Sequence, residues 1–431
     1  MIYKFYNYIY HIIQLPVVLG NQWRSTETIN YMQNRKLRKI VKQAYDQVTY
    51  YKELFDSLNL KPSDIQSKKD LPKIPILSKD LIKSHYPEKV LAKNVDNKRC
   101  SVRKTSGSSG NILEVVLDLS VTYQYHLQQF RQLIDIGYIP TDKIAYIRYS
   151  YPATNIALQK IGLFRRDYIQ LTLNPRQQIE ELLRIRPNII NAYPSVLYLL
   201  AKNVTKKEAE DLNLKFVLSN SELLYGYMRE TIEGKFNCRV YDDYSCLEFS
   251  SIGFECRRQN LHVTSDNVIV EVVDEMGKLL PEGQEGRLII TALNNKAMPY
   301  LRYEIGDIGA LSPEKCPCGR GFPIFKTLRG RCDDFLLMPD DSLLDPQTVV
   351  FQVETIPEVM EFQILQKKQN SLQINLVIRD GNDDEKVKME AVSNLKRVIS
   401  QGMDINVDIK EKLQRGSTGK IRSVISLVSR I

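Results

Sequence analysis

Residues 105–110 are the stretch of this sequence best suited to holding a phosphate. Four hydroxyl side chains and two glycines fill the six positions Thr105, Ser106, Gly107, Ser108, Ser109 and Gly110. Glycine lets backbone N–H groups turn toward a ligand where a Cβ atom would block them, and hydroxyls add side-chain donors. A flexible turn between two strands has the same composition. The P-loop pattern of NTPases, G-x-x-x-x-G-K-[ST], is absent.

Three cysteines and a histidine have the composition of a zinc site: Cys256, His262, Cys316 and Cys318. Tetrahedral Zn²⁺ selects soft thiolates and imidazole, and four protein ligands would make the site structural. The C-x-C spacing of Cys316 and Cys318 is tighter than the usual C-x₂-C. The alternative is a group of reduced, buried cysteines beside a surface histidine. Cys332 is a substitute ligand.

Composition restricts the classes of partner. The 431 residues have room for two or three domains. The net charge of +9 comes from 60 basic and 51 acidic residues spread along the chain, which favours anionic ligands such as nucleotides. The sequence carries no DNA- or RNA-binding signature, so we expect no nucleic-acid partner. Seven unevenly spaced cysteines argue against a disulfide framework and for a reducing cytoplasm.

The first thirteen residues are aromatic and apolar. They lack a signal-peptide pattern, and no segment of the sequence is long and apolar enough to span a bilayer. One interpretation is a segment that packs on its own domain. The other is a membrane-surface helix that gives the N-terminus peripheral membrane contact.

The elements that must position these residues follow from hydrophobic periodicity. Apolar residues at helical spacing predict helices within 25–60, over 120–136, and then over 176–185 and 195–202. Short apolar strands are predicted at 143–147, 188–192 and 216–218. Alternating strands and helices imply a parallel sheet with crossover helices, an α/β fold.

Two changes in sequence pattern divide the rest of the chain. Residues 261–311 predict a β-rich subdomain with strands at 268–273, 287–291 and 308–311. Gly330–Asp334 is short and polar, as a hinge would be. The remainder predicts a small mobile α+β domain. Its predicted strands lie at 335–338, 361–366, 372–378 and 405–409, and its predicted helices at 346–353 and 384–400. We therefore expect an N-terminal domain over 1–329, a hinge over 330–334 and a C-terminal domain over 335–431.

Five separated stretches now line up in sequence order: Thr105–Gly110, Tyr244–Glu248, Tyr300–Asp307, Gly330–Asp334 and Gly416–Lys420. In that order they resemble the phosphate loop, the Y-G-x-T-E motif, the Y-R-T-G-D segment, the G-R-x-D-D hinge and the catalytic-lysine loop of the adenylate-forming enzymes, the acyl- and aryl-CoA ligase superfamily. The resemblance is nearest to the phenylacetate–CoA ligase and CapK-like capsule-biosynthesis branch, which Cys316–Arg320 also fits. It covers the chain from about residue 70 to the end.

The resemblance implies a large adenylation domain, a mobile C-terminal lid and a set of ATP contacts. Thr105–Gly110 would hold the β- and γ-phosphates of ATP, and Glu248 would bind Mg²⁺. Asp307 would accept hydrogen bonds from the ribose, and Arg331 would contact ribose or phosphate. Lys420 would be catalytic, reaching the carboxylate and the α-phosphate as charge develops.

The remaining implied roles concern adenine and domain movement. Tyr244 would stack on adenine, whose edge Ser221, Glu222 and Asp243 would line. Asp333 would be the pivot of the C-terminal domain. Residues 149–154 and 193–195 are expected at the acid pocket by their position in the fold.

The implied reaction is ATP-dependent activation of a carboxylic acid to an acyl-adenylate with release of pyrophosphate. The acyl group then passes to an acceptor, which is CoA in most of the family and a carrier protein or sugar amine in capsule-type relatives. Surface-polysaccharide biosynthesis is the expected context. The sequence departs from the family at Asn111, Ile112, Ser245 and Leu247. These departures keep open an alternative, a degenerate nucleotide-binding or scaffold protein of a polysaccharide assembly system.

Overall fold

A computed structural model describes residues 13–95, 99–104, 113–148, 156–331, 335–340, 342–344, 346–379, 381–414 and 422–428. The chain divides into two compact units. Unit one comprises residues 1–139 and 241–328, and unit two comprises residues 140–240 and 329–431. The phosphate stretch 105–110 and Lys420 lie outside the described residues, as do 149–155 and 332–334. The domain boundary at 330 stays a prediction.

The first part of unit one is mainly helical. Its elements are α1 (Thr26–Gln47), α2 (Thr49–Ser57), two 3₁₀ turns (Pro62–Asp64 and Lys68–Lys73), α3 (Lys79–His85), strands β1 (Cys100–Lys104) and β2 (Glu114–Asp118), and α4 (Leu119–Ile136). Ser25 caps α1 by accepting a hydrogen bond from the Thr28 N–H. The helical stretch predicted within 25–60 is interrupted at Val48, whose backbone is extended. Leu37, Ile40 and Ala44 share the buried face of α1.

The first part of unit two alternates strands and helices, as the periodicity predicts. In chain order it contains β3 (Ile144–Arg148), α5 (Ile156–Lys160), β4 (Arg166–Gln170), α6 (Pro175–Ile185), β5 (Ile189–Ala192), α7 (Pro194–Asn203), α8 (Lys206–Leu212), β6 (Phe216–Asn220) and α9 (Gly226–Phe236). The strands are parallel in the order β4-β3-β5-β6. Buried aliphatic residues of these strands and helices form one core.

The second part of unit one is β-rich. Its strands are β7 (Arg239–Cys246, which begins in unit two), β8 (Ser250–Glu255), β9 (Leu261–Val263), β10 (Val268–Val273), β11 (Gly286–Ala292), β12 (Tyr303–Leu311) and β13 (Phe325–Arg331). Strands β7 and β8 are antiparallel, as are β8 and β9. Strands β10 to β13 form a sheet in chain order. The prediction of a β-rich subdomain agrees with these strands, although β12 begins five residues before the predicted Ile308.

A buried ion pair fixes the start of this subdomain against α4. Arg131 Nη1 lies 2.7 Å from Asp266 Oδ2, and both side chains are almost fully buried. Burial acts to raise the pKa of Asp266, but the Arg131 guanidinium, the charge of Lys36 and a hydrogen bond from Asn21 together hold that pKa below its usual value. Removing one partner of such a pair typically costs about 3–5 kcal/mol, because a charge stays buried without its partner. Residues after β9 are therefore held firmly to the helical part of unit one.

The last part of unit two is a small α+β fold. Its elements are β14 (Leu336–Leu337), β15 (Leu343–Leu344), α10 (Pro346–Glu354), β16 (Val359–Lys368), β17 (Ser371–Ile378), α11 (Asp384–Leu395), β18 (Asp404–Ile409) and β19 (Val424–Ser426). The sheet order is β18-β17-β16-β19. The helix predicted over 384–400 ends at Leu395. The Arg397 and Val398 N–H groups bond three residues back, and the chain turns at Gly402.

Both parts of unit two touch each other. Lys202 of α7 donates from Nζ to the Val359 carbonyl over 2.6 Å. Tyr225 and Tyr227 pack against the apolar core of the small α+β fold. Within the residues described, no helix has the length and apolarity to cross a bilayer.

Candidate functional site

Two of the five motifs meet in unit one through Tyr244 and Asp307. Tyr244 lies on β7 and Asp307 on β12, 63 positions apart in sequence. The Tyr244 hydroxyl donates to Asp307 Oδ2 over 2.5 Å. Phe325, the first residue of β13, contacts the Tyr244 ring edge-on at 5.7 Å between centroids. Both members of the pair are only half-buried, so an aromatic ring and a carboxylate are presented together where a nucleoside could reach them.

Glu248 lies in the turn after β7, close to the same motif. The Tyr303 hydroxyl donates to Glu248 Oε1 over 3.4 Å, and the carboxylate is half-buried. Burial, reinforced by the charge of Glu248, raises the pKa of Cys246 and of Tyr300 well above their usual values. The Glu248 carboxylate therefore lies near the buried, neutral side chains of Cys246 and Tyr300. Its two oxygens suit a hard cation such as Mg²⁺.

Arg302 anchors the segment that carries Asp307. Its Nε lies 3.1 Å from Glu271 Oε1, and its Nη1 donates to the Ile74 carbonyl over 2.7 Å. The Leu77 N–H donates to the Arg302 carbonyl, and the Glu304 N–H donates to the Leu77 carbonyl. The backbone of Arg302 is left-handed, with φ of 52°. These contacts fix the start of β12 on both sides and so fix the strand from which Asp307 projects.

The remaining candidates for the adenine edge are divided between the units. Ser221 and Glu222 follow β6 in unit two, and Asp243 lies on β7 in unit one. Ser221 has φ of 71°, a rare conformation for a residue with a side chain. Glu222 Oε2 accepts a hydrogen bond from the Ser195 N–H over 3.1 Å. Arg331 ends β13, and its side chain lies outside the described part of the structure.

A polar network at the carboxyl ends of the parallel strands of unit two was missed by the sequence reasoning. Arg148 ends β3, Asn191 lies on β5, and Asn220 ends β6. Arg148 Nη2 donates to Asn220 Oδ1 over 3.0 Å and also to Asn191 Oδ1. The guanidinium lies 5.0 Å from the ring centroid of Tyr193. The only signal for this network in the sequence is the position of its residues at or near the ends of predicted strands. Ligands of open α/β sheets bind at the carboxyl ends of the strands.

The four predicted metal ligands come together in unit one. The nearest ligand atoms of Cys256, His262, Cys316 and Cys318 all lie within 4.8 Å of one another. His262 is buried, so the predicted alternative of a surface histidine is wrong. Burial lowers its pKa to about 4, and the imidazole is neutral at pH 7. Cys332, the substitute ligand, lies outside the described residues.

Comparisons with known proteins agree with the motif order. Residues 336–427 match the family described as the CapK C-terminal domain. The chain is 27% identical to the phenylacetate-coenzyme A ligase of Thermus thermophilus over 390 residues, which cover 87% of this chain and 84% of that protein. It is 23% identical to Protein CapK of Staphylococcus aureus, covering 92% of this chain and 88% of that one. These matches support the predicted branch: the chain is similar to phenylacetate–CoA ligases and to CapK of the adenylate-forming superfamily.

A solved structure supports the fold of this chain. The crystal structure of 2-hydroxyisobutyryl-CoA ligase with bound R3-HIB-AMP superimposes with a TM-score of 0.75, covering 94% of this chain and 91% of that one at 18% identity. The predictions of the superfamily and of a mixed α/β fold with a β-rich part and a small C-terminal fold are confirmed. The roles assigned to individual site residues remain predictions.

Proposed function

We propose that this chain is an AMP-forming acid–CoA ligase, which activates a carboxylic acid with ATP and passes the acyl group to CoA. The observation that carries the proposal is the 2.5 Å bond between Tyr244 and Asp307. It joins the two motifs that the family resemblance assigns to adenine and ribose. The relatives named phenylacetate-coenzyme A ligase, matched along most of the chain, support the same activity.

The first half-reaction requires crowded negative charge to be neutralised. A carboxylate oxygen of the acid attacks the α-phosphorus of ATP, and the bond to pyrophosphate breaks. In our proposal Tyr244 stacks on adenine, Asp307 accepts from the ribose hydroxyls, and Thr105–Gly110 holds the leaving phosphates. Glu248 holds Mg²⁺, which would neutralise phosphate charge when bound. Lys420 places a cation at the oxygens where charge develops, and such preorganised donors contribute about 3–4 kcal/mol each.

In the second half-reaction the CoA thiolate attacks the acyl carbon and AMP leaves. The solved neighbour is a CoA ligase in complex with R3-HIB-AMP, and its likeness to this chain supports CoA as the acceptor. The likeness to CapK of Staphylococcus aureus and to the CapK C-terminal domain favours a role in surface-polysaccharide synthesis. Our proposal therefore keeps a carrier protein or a sugar amine as the alternative acceptor. The six free cysteines of the described part fit a reducing compartment, so the proposal assigns the reaction to the cytoplasm.

The test is carboxylate-dependent exchange of pyrophosphate with ATP. The panel holds aryl acids, short fatty acids, hydroxy acids and amino acids. We expect exchange with one acid class, and a fall of about 100- to 1,000-fold in Lys420→Ala. Lys412→Ala, which removes an exposed lysine eight positions earlier, is the matched control and should exchange normally. Adding CoA to the active acid should yield a thioester and AMP in equal amounts.

A second candidate function is nucleotide binding without chemistry, as in a scaffold of a polysaccharide assembly. Leu247 favours it, because the family has threonine at this position and leucine removes a hydroxyl from the α-phosphate. ATP binding without exchange for any acid of the panel would support the scaffold. Absence of ATP binding would contradict both functions.

A further inference from the structure

The chemistry of the cluster formed by Cys256, His262, Cys316 and Cys318 goes beyond the ligase reaction. We propose that these four side chains bind one structural Zn²⁺, and that the metal holds the segment before β13 in the position from which Phe325 supports Tyr244. The first part stands on the cluster alone. The second part rests on the proposed nucleotide site.

Two of the distances between ligand atoms are close to those of a tetrahedral zinc shell. Cys256 Sγ lies 3.7 Å from Cys316 Sγ. Two thiolates bound tetrahedrally at about 2.3 Å from Zn²⁺ would lie about 3.8 Å apart. Cys318 Sγ lies 3.3 Å from His262 Nε2, against about 3.6 Å for a thiolate and an imidazole on one zinc ion. The thiols are free in the structure, so the cluster is not a disulfide.

The histidine presents the correct nitrogen to the cluster. His262 Nδ1 lies 2.9 Å from the Phe322 carbonyl, which can only accept, so Nδ1 carries the proton and donates it. In the neutral ring the lone pair is then on Nε2, the atom that faces Cys318. A backbone carbonyl that fixes the ring in this way is the usual outer partner of a zinc-bound histidine.

Two turns present N–H groups to the sulfur atoms. In the first, the Gln259 N–H bonds to the Cys256 carbonyl, and the Arg258 N–H points at Cys256 Sγ over 3.4 Å. In the second, Gly319 has φ of 87°, and the Cys318 N–H points at Cys316 Sγ over 3.5 Å. Asn260 Nδ2 adds a donor 3.3 Å from Cys316 Sγ. Donors of this kind stabilise negative sulfur, which is the form that binds zinc.

The cluster is connected to the nucleotide site through the segment after Gly321. The Val263 N–H donates to the Pro323 carbonyl over 2.8 Å, and His262 forms an isolated antiparallel β-bridge with Ile324. The next residue, Phe325, contacts Tyr244. It lies so close to β8 that a Cβ atom on Gly253 would be 3.2 Å from its ring. Loss of the metal would release one end of this segment and thereby loosen the support of Tyr244.

The first experiment measures metal in the full-length protein under reducing conditions. We expect about one zinc ion per chain by mass spectrometry, and intense thiolate-to-cobalt absorption when Co²⁺ replaces it. Cys316→Ser should lose most of the metal. Cys238→Ser changes a cysteine outside the cluster and should keep it. A wild-type chain that holds no zinc after incubation with Zn²⁺, and no cobalt absorption, would overturn the site.

The second experiment measures ATP affinity and unfolding temperature of the same protein with zinc, after chelation, and after zinc is restored. We expect chelation to weaken ATP binding about 2- to 10-fold, the value of one aromatic contact, and zinc to restore it. Unchanged affinity in protein shown to be free of metal would overturn the link to Tyr244 and leave the zinc site standing. If zinc-loaded protein binds no ATP, the proposed function fails and the metal site does not.

Discussion

Unit one contains two clusters with opposite chemistry on neighbouring strands. The Tyr244–Asp307 pair is half-buried and presents an aromatic ring and oxygen atoms. The cysteine and histidine cluster is mostly buried, presents sulfur and one nitrogen, and has four ligands that face one another. An open arrangement can exchange a substrate, whereas a closed shell of four protein ligands can only hold an ion. This difference is the reason for proposing reaction chemistry at the first cluster and stabilisation by a metal at the second.

The segment 322–325 connects the two clusters. Its first residue accepts from His262, and its last contacts Tyr244. If the two clusters have these different roles, substitutions at the open cluster, Tyr244 and Asp307, should alter activity and leave metal content unchanged. Changes at the closed cluster should alter metal content and stability first, and affect nucleotide binding only through this segment.

Among changes at these two clusters, the largest effect is expected from Asp307→Ala. It removes both the proposed ribose acceptor and the partner of the Tyr244 hydroxyl. We expect kcat/KM for ATP to fall about 100-fold, equivalent to about 3 kcal/mol for a hydrogen bond to a charged group. Metal content should stay constant. Glu275→Ala removes an exposed carboxylate of unit one and serves as the control. An Asp307→Ala protein of normal activity would remove this residue from the site.

Tyr244→Phe should have a smaller effect, because the ring that would stack on adenine is kept and only the hydroxyl is lost. We expect about a tenfold rise in the Kd for ATP, since Asp307 loses the donor that orients it. Isothermal calorimetry with the wild type and with Tyr31→Phe, an exposed tyrosine of α1, measures the difference. Equal affinities would mean that the hydrogen bond between Tyr244 and Asp307 does not contribute to ATP binding.

Asn260→Ala tests the closed cluster without touching a ligand. It removes the donor 3.3 Å from Cys316 Sγ, and loss of an outer partner typically lowers metal affinity about 10- to 100-fold. Competition with a chelating dye gives the zinc affinity. The exposed Asn382→Ala is the matched control. The expected change is at the lower end of the range, because two backbone N–H groups remain. An unchanged zinc affinity would contradict the assignment.

The smallest effect is expected from Phe325→Leu, which keeps an apolar side chain at the connecting position. Zinc content should equal that of the wild type, and ATP affinity should fall about threefold with loss of the edge-on contact. The decisive comparison is a combination of this variant with chelation. If the metal acts through Phe325, chelating the variant should weaken ATP binding less than chelating the wild type. If the losses of ATP affinity from the substitution and from chelation are fully additive, the metal does not act through Phe325.

The chain order of the motifs, the α/β alternation of 143–220 and the α+β character of the C-terminal part could be predicted from the sequence. Helix periodicity is a local property, and it places Ile40 and Ala44 on the buried face of α1 without any tertiary contact. The end of α11 at Leu395 was missed, because several residues after it remain compatible with a helix and the change to i→i−3 hydrogen bonds at Arg397 and Val398 leaves no signal in the sequence.

The candidate site was only partly predictable for a physical reason. Residue types and motif spacing selected Tyr244, Asp307, Glu248 and the four candidate metal ligands. Phe325 and Tyr303 carry no motif, because their contribution is contact with a residue far away in sequence. Arg148 and its two asparagines likewise become a network only when three parallel strands end together.

By itself, the sequence determined the chemical inventory from which the proposals are drawn: hydroxyls and glycines suited to phosphate, carboxylates suited to ribose and a cation, and thiols suited to zinc. Only the tertiary structure decided which of them meet. The pairing of β7 with β8 and of β8 with β9 brings Cys256 and His262 together and places Tyr244 beside Gly253. The register of such pairings depends on backbone hydrogen bonds between strands, which the amino-acid types of one strand do not specify.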